Sequence, residues 1–222
     1  MDNYIELKRI NYKYNKGKTI FHDFSLKLNC SETTIITGEN GSGKTTLTKL
    51  ITGIHKPQSG HIFIFGKNSK EMSLGDIGQV LGYVFQYPDL QLFATTVLEE
   101  LTFPQQFKKD NKGDVLLKAE ELMKVFELQN LKDSYPALLS YGEKRRLAIA
   151  AILMNNPKYL ILDEPTASLD EERIDTLSIV LDNLKNKGIG SLIISHDKNF
   201  ISKNGERIIQ LEGGRIIIDE KK

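Results

Sequence analysis

The sequence predicts an α/β fold in which a helical subdomain is inserted into one core of strands and helices. Three observations carry that prediction. Two short continuous apolar runs, at 159–162 and 191–194, have the pattern of strands buried on both faces. A β-branched run at 33–37 stops at Gly38, and Leu47, Leu50 and Ile51 then recur at helical spacing. Between these strand-rich halves the pattern turns helical, with apolar residues set among Lys and Glu.

Along the chain, Ile5, Leu7 and Arg9 alternate with Glu6, Lys8 and Ile10, the pattern of an edge-type strand. Phe24, Leu26 and Leu28 alternate with Ser25 and Lys27 in a second strand, and residues 33–37 form a third. A helix begins near Lys44, and residues 61–65 read as a strand closed by Gly66. An amphipathic helix is expected over 114–131, carrying Leu117, Leu122, Met123 and Phe126. A second starts after Ser140 and runs to about Met154. These helices define an inserted helical subdomain, approximately 88–156, in a single domain spanning 1–222. Ile174, Leu177, Leu181 and Leu184 mark a helix that ends before Gly188. After the 191–194 strand, two runs flank Glu212-Gly213-Gly214 as a hairpin.

Composition narrows the function. The 222 residues are 40% apolar and 27% charged, with a formal net charge of +1, so no global field favours nucleic acid or an acidic membrane surface. Cys30 is the single cysteine, which excludes an intramolecular disulfide and fits a buried, inert thiol. No apolar run approaches the ~20 residues that cross a bilayer. The start of the chain shows neither a basic n-region nor an apolar h-region. Service to a membrane would therefore need another chain to supply the membrane part.

Gly38-Glu39-Asn40-Gly41-Ser42-Gly43-Lys44-Thr45-Thr46 matches the phosphate-binding pattern G-x-x-x-x-G-K-[ST] in full, with a strand before it and a helix after it. Glycines let the backbone curl until successive N–H groups point at phosphate oxygens, and the helix adds its positive end. Lys44 is expected to bridge the β- and γ-phosphates of ATP, and the Thr45 hydroxyl to hold Mg²⁺. A second acidic site lies at 160–164, where an apolar strand ends in Asp163 and Glu164. This is the Walker B arrangement: Asp163 supports the Mg²⁺ shell and Glu164 polarises the attacking water.

Leu139-Ser140-Tyr141-Gly142-Glu143-Lys144-Arg145-Arg146 resembles the LSGGQ signature of ATP-binding-cassette (ABC) ATPases. Tyr141 stands for the first glycine and Glu143 for glutamine. Read locally, Ser140 with Glu143 is a capping box that makes an anion site of the helix N-terminus. The resemblance implies that Ser140, Tyr141, Gly142 and Glu143 face the nucleotide of a second subunit. It extends to Gln86 as the Q-loop residue linking metal and water to a membrane partner. Ser168-Leu169-Asp170 resembles the D-loop, with Asp170 at the dimer interface, and His196 resembles the switch histidine at the γ-phosphate. Tyr14 resembles the aromatic that stacks on adenine, with Tyr12 a close competitor, whereas His22, His55 and His61 read as structural or surface residues. The implied fold is a P-loop NTPase core with a mainly parallel sheet, an N-terminal antiparallel β-subdomain and an inserted helical subdomain.

The stretch Phe85-Gln86-Tyr87-Pro88-Asp89-Leu90-Gln91-Leu92-Phe93 resembles the Q-loop region of energy-coupling-factor (ECF) importers of vitamins or metal ions. That likeness implies an integral-membrane coupling protein docking near Gln86–Phe93, unless Leu90, Leu92 and Phe93 only pack the seam between core and helices. It also implies a homodimer or heterodimer of ATPase subunits, peripheral to the cytoplasmic face of the membrane, with ATP and Mg²⁺ and no nucleic acid. Another ABC transporter, or an ABC ATPase outside transport, is the alternative.

Overall fold

The computed structural model describes residues 3–15, 17–107 and 111–222. Met1 and Asp2, the first residues of the start that shows no leader pattern, lie outside the described residues. Two sheets organise the chain. The first is antiparallel, in the order β2 (Thr19–Asn29), β1 (Tyr4–Lys13), β4 (Ser59–Ile64) and β5 (Lys67–Asn68). The edge position expected for the first strand is therefore wrong: β1 pairs on both sides. Its alternation reflects a sheet with one packed and one solvated face, which gives an interior strand the same pattern as an edge.

The second sheet runs β10 (Arg215–Lys221), β9 (Arg207–Glu212), β3 (Thr33–Thr37), β8 (Ser191–Ile194), β7 (Tyr159–Asp163) and β6 (Leu81–Val84). All its pairings are parallel except the β9–β10 hairpin. Its strands separate two apolar cores. Ile36, Ile161, Leu192 and Ile194 pack with the antiparallel sheet and with α1 (Lys44–Ile51), through Leu47 and Leu50. Ile35, Leu160, Leu162 and Ile193 face the opposite way, onto α5 (Tyr141–Met154) and α6 (Glu171–Asn186), through Leu147, Leu177 and Leu181. Strands with two packed faces need unbroken apolar runs, which is why those runs stood out in the sequence.

Within this frame, α2 (Leu74–Val80) leads directly into β6, and neither was expected from the sequence. Between β6 and β7, the described residues form α3 (Val97–Thr102), α4 (Lys112–Val125), α5 and short 3-10 turns. The helix expected to reach residue 131 ends at Val125, where Glu127 takes a left-handed φ of 52° and a turn follows at Gln129–Leu131. Leu117 is 62% exposed, while Met123 and Phe126 are buried, so the apolar stripe is narrower than the pattern implied. The helix α7 (Lys198–Asn204) connects β8 to β9.

Cys30 is buried, and burial pushes its thiol up to about 12, which fits the inert reading.

Candidate active site at the strand ends

Parallel pairing brings the carboxyl ends of β3, β8, β7 and β6 to one edge of the sheet in neighbouring order. The loops that follow them carry Lys44, His196, Asp163 with Glu164, and Gln86. A cavity of about 310 Å³ opens there. It is lined by Tyr14, Asn40, Gly41, Gly43, Lys44, Thr45, Thr46, Gln86, Asp163, Glu164 and His196, together with Ile20 and Ile194. Sequence-distant candidates thus meet because four strand ends meet.

The loop after β3 is glycine-dependent. Gly38 has φ 137°, and a Cβ there would lie 2.1 Å from the Leu211 carbonyl oxygen. Ser42 is buried and faces the protein interior, its carbonyl accepting from the Gly214 N–H at 3.1 Å. Lys44 is 8% exposed and folds its ammonium back onto the loop, donating to Gly38 O at 2.5 Å and Glu39 O at 2.9 Å. Burial lowers its pKa, and the Glu164 and Asp163 carboxylates oppose that shift. The ammonium is held by backbone acceptors that a ligand phosphate can replace.

Asp163 ends β7 at 1% exposure. Burial raises its pKa, and a hydrogen bond from the Thr45 hydroxyl draws it back. One carboxylate oxygen, Oδ2, is buried without a hydrogen-bond partner. An unpartnered buried carboxylate oxygen beside a threonine hydroxyl is a fitting half-site for a hard divalent cation, which takes oxygen ligands. Among the described residues no cluster of three or more His, Cys, Asp or Glu forms a metal cage of its own.

Glu164 follows in a left-handed conformation, φ 52°, unusual for a residue with a Cβ and costing about 1–2 kcal/mol. Burial raises its pKa; its Oε1 lies 3.3 Å from His196 Nε2. A half-buried carboxylate beside a second one, the buried Asp163, is the environment that tunes an acid toward base duty near neutral pH. Of the two aromatic candidates, Tyr14 is 40% exposed at the cavity, its hydroxyl 3.0 Å from Thr46 Oγ1. Tyr12 is buried and stacked on His55, with ring centres 5.5 Å apart.

The residues of the 139–146 stretch do not line this cavity. Ser140 caps α5: its hydroxyl accepts from Glu143 N–H at 3.3 Å, and the Glu143 carboxylate accepts from Ser140 N–H at 2.8 Å. The Ser140 hydroxyl, which donates to the Glu143 carboxylate at 2.7 Å, and then the Ser140 N–H hold Glu143 below the usual carboxylate range. Gly142 sits against the loop before α6, where a Cβ would lie 2.9 Å from the Ser168 carbonyl oxygen. Asp170 is exposed and caps α6 through the Arg173 N–H at 3.1 Å. The candidate dimer-facing residues thus share a separate surface. Sequence reasoning gave no role to Ile20, which lines the cavity beside the loop, or to Arg145, which it named only within the signature-like stretch.

A glycine-curled loop and a buried lysine after β3, with two carboxylates at the end of β7 on the far side of β8 in the parallel sheet, define a P-loop nucleoside triphosphatase. The ABC transporter family model matches residues 21–167, and the chain belongs to that family. It is an ATP-binding, ATP-hydrolysing subunit of a transporter. It is 32% identical over 218 residues to an energy-coupling factor transporter ATP-binding protein, EcfA, of Carboxydothermus hydrogenoformans, covering 98% of this chain and 81% of the relative. The solved structure of cbiO1 from Clostridium perfringens, described as part of the ABC transporter complex cbiONQ, superposes with a TM-score of 0.86 at 31% identity. That match covers 100% of this chain and 89% of the other. The dimeric ATP-binding cassette MJ0796, in a post-hydrolysis state with ADP and Pi, gives a TM-score of 0.87 at 28% identity over 98% of each chain. No helix among the described residues is long and apolar enough to cross a membrane.

Proposed function

We propose that the chain is the ATPase of an ECF-type importer of a vitamin or metal ion, working at the cytoplasmic face of the membrane. The observation that carries the chemistry is the pair of buried Asp163 and half-buried Glu164 in one cavity with Lys44. In this reading the whole chain is one cassette, with its helical part at approximately 88–156. Adenine stacks on Tyr14, and the loop N–H groups from Gly38 to Thr46 receive the triphosphate. Lys44 leaves the loop carbonyls for the β- and γ-phosphates. Thr45, Asp163 and Gln86 hold Mg²⁺, which supplies neutralisation of the phosphate oxygens when bound. Glu164 takes a proton from water as the water oxygen attacks the γ-phosphorus in line; ADP leaves, and His196 contacts the transferred phosphate. Ser140, Tyr141, Gly142 and Glu143 of a second, identical or related, subunit close over the nucleotide, and Asp170 lies at that interface.

Stacking on a base is worth roughly 1–3 kcal/mol. Tyr14→Ala should weaken ATP binding by about five- to a hundredfold and Tyr14→Phe should not, as read by titration with a fluorescent ATP analogue. An equal loss in both would point to the Thr46 contact rather than to stacking.

The docking surface has its own support. After β6, Gln91 turns inward, accepting from the Phe85 N–H at 3.1 Å, and buried Glu100 accepts from the Phe93 and Ala94 N–H groups at 2.9 and 2.8 Å. Leu92 packs on the core, while Tyr87, Leu90 and Phe93 are 55%, 75% and 62% exposed. Leu92 fills the seam and Phe93 meets the Phe103 ring edge-on, yet Leu90 and most of Phe93 stay open to solvent. A rigid loop presenting large apolar side chains favours a partner helix. Tagged chain purified from native membranes should bring integral-membrane proteins with it, and Leu90→Asp with Phe93→Asp should lose them while unfolding at the same temperature. Recovery without integral proteins from the wild type would reject the importer reading.

A further inference from the structure

We propose that Tyr141 and Arg145 are positioning residues that set the Gln86 loop in the nucleotide cavity from the N-terminal turns of α5. Gln86 O accepts two bonds, from the Tyr141 hydroxyl at 2.8 Å and from Arg145 Nη2 at 2.6 Å. Arg145 Nη2 also donates to the Tyr141 oxygen at 3.1 Å, so the hydroxyl accepts one hydrogen bond and donates its own proton to Gln86 O. The guanidinium carbon sits 5.3 Å from the centre of the Tyr141 ring. On its other side, Arg145 Nη1 donates to Phe85 O at 2.8 Å and Asp163 O at 3.3 Å. One cation therefore ties the ends of β6 and β7, the strands that present Gln86 and Asp163.

Arg145 is fully buried, and its hydrogen bonds go to carbonyl oxygens and one hydroxyl. Burying a guanidinium on neutral acceptors is costly, so the arrangement demands a return in geometry. What it fixes is the backbone from which Gln86 reaches the cavity. Tyr141 completes it at a position where the family signature carries glycine, which has no side chain to donate. The bonds form a polarised series, Arg145 to Tyr141 to Gln86 O, in which each donor strengthens the next. The clamp also joins the end of the helix predicted to face a second subunit to the loop predicted to face the membrane partner. Both lie within one chain.

This inference rests on the proposed role of Gln86 in the cavity, and the test separates the two. ATPase turnover is measured for the full chain with its co-purifying partners, as wild type, Tyr141→Phe, Gln86→Ala and the double variant. Gln86→Ala should lower kcat by about ten- to a hundredfold. Tyr141→Phe, which deletes only the hydroxyl, should lower kcat about three- to tenfold with KM for ATP held. In the Gln86→Ala background the same hydroxyl deletion should change nothing further, because there is no side chain left to position. Equal losses from Tyr141→Phe in both backgrounds, or none in the wild type, would overturn the clamp while leaving Gln86 in place. Unchanged kcat in Gln86→Ala would overturn the reading of Gln86 and the clamp with it.

Discussion

Glu164→Gln lowers kcat by about 10²–10⁴-fold and leaves ATP binding intact, the effect expected of removing a general base. The substitution keeps the shape of the side chain and its reach toward His196, 3.3 Å away, but replaces a basic carboxylate with an amide too weakly basic to take the proton of water. It also removes a negative charge beside Asp163, whose burial already disfavours its ionised form. Nucleotide affinity should therefore hold or rise. Single-turnover phosphate release separates the two effects. The pH profile gives an independent check with a defined sign. Burial raises the Glu164 pKa above the usual carboxylate range, so wild-type kcat should fall with acidification at a higher pH than an ordinary glutamate would give. That acid limb should vanish in Glu164→Gln.

Lys44→Ala acts on binding rather than turnover. Each charge-assisted hydrogen bond contributes about 1.5–3 kcal/mol, and the ammonium is proposed to reach two phosphates, so affinity for ATP should drop about a hundredfold or more. The fold should survive, because among the described residues the Lys44 ammonium bonds to Gly38 O and Glu39 O of its own loop and to no other element. Loss of the cation also leaves Asp163 and Glu164 without a charge that favours their ionised forms, so both should be protonated more readily. Equilibrium titration with a fluorescent ATP analogue, alongside thermal unfolding, reads both. Retained affinity would mean that the loop N–H groups alone carry the triphosphate.

The sequence carried the parts whose chemistry is local. The 33–37 strand, the glycine loop and α1 are adjacent in the chain, and so are the apolar run and acids of β7. Their motifs therefore survive without three-dimensional knowledge. The α5 boundaries were legible because Ser140 and Glu143 form a reciprocal cap. Other features were hidden for physical reasons. β6 is four residues long and contains Gly82 and Tyr83, which blur its pattern. The interior place of β1 depends on pairing with β4, some fifty residues on, which alternation cannot disclose. Tyr12 and Tyr14 share a face of the pattern and both rings meet His55; what separates them is exposure, Tyr12 being buried and Tyr14 open to the cavity. Arg145 was invisible as a buried clamp because its acceptors are backbone carbonyls, which every residue has and no sequence advertises.

The central claim is that the glycine loop, Lys44, Asp163 and Glu164 converge on the terminal phosphoryl group of ATP. The most direct measurement is an experimental structure of Glu164→Gln with ATP and Mg²⁺. It should show the γ-phosphate within hydrogen-bond reach of Lys44 Nζ, the cation on Thr45 and Asp163, and Ser140 of a second copy across the nucleotide. ATP bound elsewhere, or a cation away from Asp163, would contradict the account.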